Sequence, residues 1–185
     1  MKHPASREFF AYWDEKRGIN PAPDRSELEP GPVRELLGDI FVLSYDPAAG
    51  YPFRVAGTRV CALLGHDLKG EAFASLFQPA SRIEIEDILD AVNADKLAAV
   101  VGVTARTSEG RPVPLELLLL PFNTRNHMPI SLTGLIVPFV DGAHALTDLT
   151  PTSWRYMGHP PQRFAPRILR KLAVARGLMV YEGLV

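Results

Sequence analysis

The stretch FRVAGTRVCALLGHDLKG, from Phe53 to Gly70, decides the fold. Its first residues suit a strand, and Gly57 ends that strand because glycine weakens extended structure. A short helix is then predicted from Arg59 to Leu64. We expect the hydroxyl of Thr58 to cap this helix by accepting an unpaired amide of the first turn. Gly65 follows where a left-handed residue commonly ends a helix. The stretch therefore indicates a strand, a sharp turn and a short helix.

Extended segments on both sides of this stretch predict an antiparallel sheet. The clearest hairpin has its turn at Ser108 to Arg111, where Gly110 can take a positive φ without a Cβ clash. Turn residues also separate the other segments, and a loop precedes the last one. The five predicted strands are Ile40 to Ser44, Phe53 to Ala56, Leu97 to Arg106, Val113 to Phe122 and Leu132 to Val140.

The fourth predicted strand carries leucines on both of its faces. Because side chains alternate along a strand, Leu115, Leu117 and Leu119 share one face, while Leu118 and Leu120 share the other with Glu116. Both sides of the sheet should therefore be covered.

Two longer helices are predicted. Ser6 to Arg17 places Phe9, Phe10 and Trp13 at helical spacing, with Ser6 as the N-cap. These aromatic residues could cover the second face of the sheet or form a dimer surface. Pro79 to Val92 is the second helix, and its apolar residues, among them Ile83, are expected to face the core.

The sequence resembles a PAS-type sensory domain, and more narrowly a bacterial PAS-like family common in alphaproteobacteria. The segments that carry the resemblance lie between about Phe9 and Val140. They are AYWDEKRG followed by INPAPDRSELEP, then FRVAGTRVCALLG, and then ARTSEGRPVPLELLLLPF. The resemblance implies an α+β fold, with a five-stranded antiparallel sheet, small helices over one face, and flanking N-terminal and C-terminal helices. It also implies three parts, which are a helix and proline-rich linker (1–32), a PAS-like domain (33–142) and a C-terminal extension (143–185).

In such a domain the cleft between sheet and small helices commonly takes a small apolar or aromatic ligand. Each residue that would line the cleft could equally be ordinary core, so a ligand pocket and a core filled by side chains both stay open. Arg59 could hold an acidic ligand, although an ion pair with Asp67 is the favoured interpretation. The candidate lining residues are Phe41, Phe53, Val55, Arg59, Cys61, Leu64, Phe73, Phe77, Leu89, Val103 and Leu117.

The extension after Gly142 is expected to be irregular up to about Phe164, because proline is frequent there. Pro166 to Arg176 is then predicted to form a basic amphipathic helix. This helix could dock on the domain, or it could bind a partner through Arg167, Arg170, Lys171 and Arg176.

We find no sequence motif of a catalytic site. No GxSxG, Walker or HExxH motif occurs, so we expect a protein that is not an enzyme. The five histidines lack metal-ligand spacing, and the carboxylates around Glu84 are expected to be a solvated helix face. Cofactor identity stays open. Haem on His66 is disfavoured, and so is a flavin–cysteine adduct, because the residues around Cys61 lack the required motif.

Composition limits the class of protein. A net charge of −1 disfavours nucleic acid as the partner. Met1 to Asp14 lacks the continuous apolar core of a secretory signal, and the longest apolar run, Leu115 to Phe122, is too short to cross a bilayer, so we expect a cytoplasmic protein.

Two functions fit these observations. The first is a sensory or regulatory protein of bacterial signal transduction. It would form a homodimer and bind a signalling protein, and a small ligand in the cleft stays an open alternative. The second is an adaptor whose core is filled by its own side chains and which recognises its partner through the basic C-terminal helix.

Overall fold

A computed structural model describes residues 1–123, 130–158, 168–175 and 178–184, the last two ranges as backbone only. The helices are α1 (Pro4–Arg17), α2 (Thr58–Leu64) and α3 (Arg82–Ala94), and short 3₁₀ helices lie at Arg25–Glu27, Arg34–Leu36, Phe73–Leu76 and Pro79–Ser81. The strands are β1 (Ile40–Ser44), β2 (Phe53–Ala56), β3 (Ala98–Arg106), β4 (Pro112–Pro121), β5 (Ser131–Pro138), β6 (Thr147–Met157), β7 (Ile168–Ala175) and β8 (Leu178–Leu184).

The main sheet has six strands in the order β2-β1-β5-β4-β3-β6, and its neighbours are antiparallel. The α+β class is therefore confirmed, while the expected count of five strands is wrong. The additional strand, β6, lies where an irregular segment was predicted from Thr150 and Pro151. Proline lacks an amide donor, but an edge strand tolerates it because one side of that strand needs no partner.

The predicted C-terminal helix is also wrong. Strands β7 and β8 pair with each other in a separate two-stranded sheet. The apolar residues of 168–174 fit a helical spacing as well as an extended one, and the pairing with β8 decides between the two.

Both faces of the sheet are buried, as the leucines of β4 predict. Leu117 is fully buried in the core beneath α2 and α3, and Leu118 is fully buried in a second core on the opposite face. Phe9 and Trp13 of α1 belong to that second core, and the indole Nε1 of Trp13 donates to the carbonyl of Pro121 at 3.0 Å. The aromatic helix therefore covers the second face.

The turn before α2 is held by a backbone contact rather than by Thr58. Gly57 is the N-cap of α2, and Thr58 is the first residue of the helix. No side chain caps this helix. The carbonyl of Gly38 accepts hydrogen bonds from the amides of Arg59 and Val60 at 2.9 and 3.0 Å. A Cβ on residue 57 would lie 2.3 Å from the carbonyl oxygens of Leu37 and Gly38. Only glycine allows this close approach, which explains the AGT turn.

We predict that Gly57→Ala lowers the free energy of unfolding by about 1–3 kcal/mol or more, because two backbone segments must separate to admit the methyl group. Urea denaturation measures this change. Gly31→Ala is the matched control, since a Cβ there meets nothing within 4 Å. Equal stability of the two variants would contradict the role given to the turn.

Candidate functional site

The predicted ligand cleft lies between the inner face of the sheet and the helices α2 and α3. Most candidate lining residues meet there in one buried cluster, and three do not. Val55 is 53% exposed, Cys61 is partly buried, and Arg59 lies at the surface. The residues in the cluster are Phe41, Phe53, Leu64, Phe73, Phe77, Leu89, Val103 and Leu117.

Four phenylalanine rings lie in contact at the centre of this cleft. The ring of Phe73 lies 5.3 Å from that of Phe41, 5.6 Å from that of Phe53 and 5.5 Å from that of Phe77, measured between centroids. Gly134 gives the Phe41 ring its space, since a Cβ there would lie 2.3 Å from the Phe41 Cζ. Aromatic pairs at these distances stabilise a core beyond the area that they bury. The rings thus occupy space that a ligand would need.

Arg59 pairs with a different carboxylate from the one expected. Its Nε and Nη2 donate to the two carboxylate oxygens of Asp39 at 2.8 and 2.6 Å. The expected ion pair with Asp67 is wrong, because the Arg59 guanidinium faces Asp39, while the Asp67 carboxylate accepts the amide of Lys69 at 3.0 Å. The reason is the turn before α2, which brings the start of this helix against residues 38 and 39. The guanidinium therefore stabilises the turn before α2, and it lies outside the cleft.

Both nitrogens of His66 face acceptors of the protein. Nε2 lies 2.8 Å from Oε2 of Glu71, and Nδ1 lies 3.0 Å from the carbonyl oxygen of Leu64. The hydrogen bond to Glu71, followed by that to Leu64, raises the pKa of His66. Two acceptors are satisfied together only by the imidazolium, which has two donors. The hydrogen bond of His66 to Glu71 thus stabilises the loop after α2.

A second candidate site is a groove of about 530 Å³ on the outer face, beyond the start of α1. Its lining includes Glu116 of β4, which is only 4% exposed. The Glu116 carboxylate accepts the amides of Lys2 and His3 at 2.6 and 3.0 Å. Burial raises the pKa of Glu116, but the Lys2 amide, the nearby Ser6 hydroxyl, the His3 amide and the N-terminal ammonium together outweigh burial and leave the pKa lowered. The sequence analysis places Glu116 on the same face of β4 as Leu118 and Leu120 and gives it no role. A single carboxylate among leucines does indicate a buried hydrogen-bonding site.

The proposed partner-binding residues are described only in part. Arg170 and Lys171 lie in β7, whereas Arg167 and Arg176 lie outside the described residues. In the described part of the chain, no group of three or more His, Cys, Asp or Glu side chains could hold a metal ion. None of the helices described there is both long enough and apolar enough to cross a membrane.

A family model described as a PAS domain matches residues 1–137. No curated protein matches the chain. One similar solved structure is the LOV protein of Rhodobacter sphaeroides, with 16% identity and a TM-score of 0.44, over 59% of this chain and 66% of that chain. Another is the PAS domain of an HTR-like protein from Haloarcula marismortui, with 18% identity and a TM-score of 0.43, over 59% of this chain and 90% of that chain.

We predict that Glu116→Gln lowers the free energy of unfolding at neutral pH and has less effect in acid. A lowered pKa means that the carboxylate stabilises the fold above its unfolded pKa, about 4.3, and that this contribution is lost as pH falls through the folded pKa. Urea unfolding at several pH values checks this. Glu86→Gln on the exposed side of α3 is the control. If the stability difference between Glu116→Gln and the unsubstituted protein does not change with pH, the ionised Glu116 carboxylate does not stabilise the fold as proposed.

Proposed function

The chain belongs to the PAS domain family, and on that premise we propose that it is a sensory or regulatory protein of bacterial signal transduction. In this proposal it acts without catalysis, by binding a signalling protein in the cytoplasm. We further place it in the branch common in alphaproteobacteria, on the motifs quoted from its sequence.

The filled cleft is the observation that carries this choice. With Phe73 packed against Phe41, Phe53 and Phe77, the interior already has the contacts that a small ligand would supply. Regulation by contact between proteins needs no vacant cleft. We therefore favour a PAS domain that responds to protein contact over one that responds to a small molecule in its interior.

We propose the basic C-terminal segment as the recognition element of this protein. Residues 159–185 hold five Lys or Arg and one Glu, which gives this segment a charge of 5 − 1 = +4. With a net charge of −1 for the whole chain, residues 1–158 carry −5. This separation of charge supports recognition by the segment. The element that bears Arg170 and Lys171 is the strand β7 rather than a helix.

We predict that freshly purified protein shows no mass beyond that of its polypeptide chains, as monomer or dimer in native mass spectrometry and as a single chain after denaturation. The physical reason is that aromatic side chains already occupy the cleft. The same protein after incubation with a mixture of small aromatic compounds serves as the comparison. A reproducible extra mass that disappears on denaturation would overturn the filled-cleft proposal and establish a ligand sensor.

We predict that Phe73→Ala lowers the free energy of unfolding by about 3–5 kcal/mol, since removing a packed ring leaves a cavity. Urea denaturation measures the loss. Ile19→Ala is the control, because Ile19 is 94% exposed, and its effect should stay within about 0.5 kcal/mol. A loss below about 1 kcal/mol for Phe73→Ala would mean that the cleft is not tightly packed.

A further inference from the structure

A groove of about 400 Å³, lined by both apolar and acidic side chains, lies between α3 and the C-terminal half of β6. Ile83 is 73% exposed here rather than facing the core as the sequence predicted, and Tyr156 is 39% exposed. Trp154 lines the groove between them and packs partly against the core. Large apolar side chains that are exposed together are a common mark of an interaction surface.

The polar part of the groove is acidic. Glu84 and Asp87 line it along α3. Burial, followed by the negative charges of Asp87 and Asp95, raises the pKa of Tyr156. The aromatic floor therefore lies in a negative potential, and an aromatic ring in such a place attracts cations through its face as well. A basic occupant fits this groove.

The strand beside the groove has a free edge. The first half of β6 is covered, because the carbonyl of Leu149 accepts the amide of Gln78 at 2.9 Å and residue 149 bridges to Phe77. From Ser153 to Met157 the strand pairs regularly with β3 on one side. Within the described residues, β6 is the last strand of the sheet. An exposed strand edge is a template for pairing with another strand.

The chain itself holds a strand with the complementary properties. β7 is extended, carries the adjacent cations Arg170 and Lys171, and pairs on one side with β8. Within one chain β7 and β8 form a sheet separate from the six-stranded one, so β7 does not fill the edge of β6 in its own copy. Adjacent positions on an added strand face opposite sides of the sheet. Two adjacent cationic positions therefore give an added β7 a concentrated positive charge.

We propose that the groove between α3 and β6 is the docking site for strand β7 of a second copy of this chain. β7 adds to the edge at Ser153 to Met157, and its positive charge matches the negative charge of Glu84 and Asp87. Each copy offers one groove and one basic strand, so two such contacts close a symmetric dimer. Main-chain hydrogen bonds provide affinity in strand addition, while the side-chain groove provides specificity. The proposal rests on the recognition role given above to the basic segment, and it names the partner surface.

Sedimentation equilibrium of the full chain over a range of protein concentrations tests this. We expect the unsubstituted protein to form a dimer. Glu84→Lys with Asp87→Lys should raise the dissociation constant about tenfold or more, because like charges then face each other. Arg170→Glu with Lys171→Glu should do the same, and combining all four substitutions should restore most of the affinity. Raising NaCl should weaken the unsubstituted dimer, as expected for screened charges.

Glu29→Lys with Glu86→Lys is the matched control, because it changes the net charge equally at exposed positions outside the groove. Circular dichroism of each variant verifies folding. If the β7 variant weakens the dimer and the groove variant does not, the groove assignment is overturned while the basic segment keeps its recognition role. If neither variant matters, the self-recognition proposal fails for groove and segment together. A protein that stays monomeric at every concentration would also overturn it.

Discussion

The burial of β4 on both faces is the constraint on which the rest of the structure depends. Leu117 and Leu118 are adjacent, point to opposite sides and are both fully buried. A sheet with such a strand near its centre must be covered twice, by α2 and α3 on one side and by α1 on the other. Hence α1 is a required layer of the domain. The buried Glu116 fits this arrangement, because its carboxylate accepts the amides of Lys2 and His3, which lie directly before α1.

The layers could be predicted from sequence because they follow from side-chain periodicity. The alternation of side chains along β4 and the helical spacing of the aromatic residues in α1 are both visible in short stretches of sequence. The tertiary structure keeps both patterns. Strand β6 could not be predicted in the same way, since Pro151 suggests a break unless its place at the edge is known. The C-terminal hairpin was missed for a related reason, namely that its apolar residues fit two periodicities. The partner of Arg59 depends on a tertiary contact, because Asp39 is twenty residues away in the chain.

The cleft shows where the sequence stops being informative about function. Phenylalanines at positions 41, 53, 73 and 77 are compatible with a ligand pocket and with a packed core, because both require the same apolar residue types. Ring separations of 5.3 to 5.6 Å around Phe73 favour the packed core. Val55 is a different case, because its apolar side chain suggests burial but is half-exposed in the short edge strand β2. Residue type predicts burial on average, and only register determines it for a single position.

The two edges of the sheet differ in what they can offer to another chain. β2 has four residues, which leaves little backbone for pairing, and short edges are one way in which proteins avoid association. β6 has eleven residues, but Pro151, two irregularities in its pairing with β3 and the contact with Gln78 protect its first half. Within the described residues, the stretch from Ser153 to Met157 pairs regularly with β3 and has no strand on its other side, and it lies beside the exposed aromatic and acidic residues of the α3 groove. The same edge therefore combines an available backbone with a selective surface, whereas the opposite edge has neither.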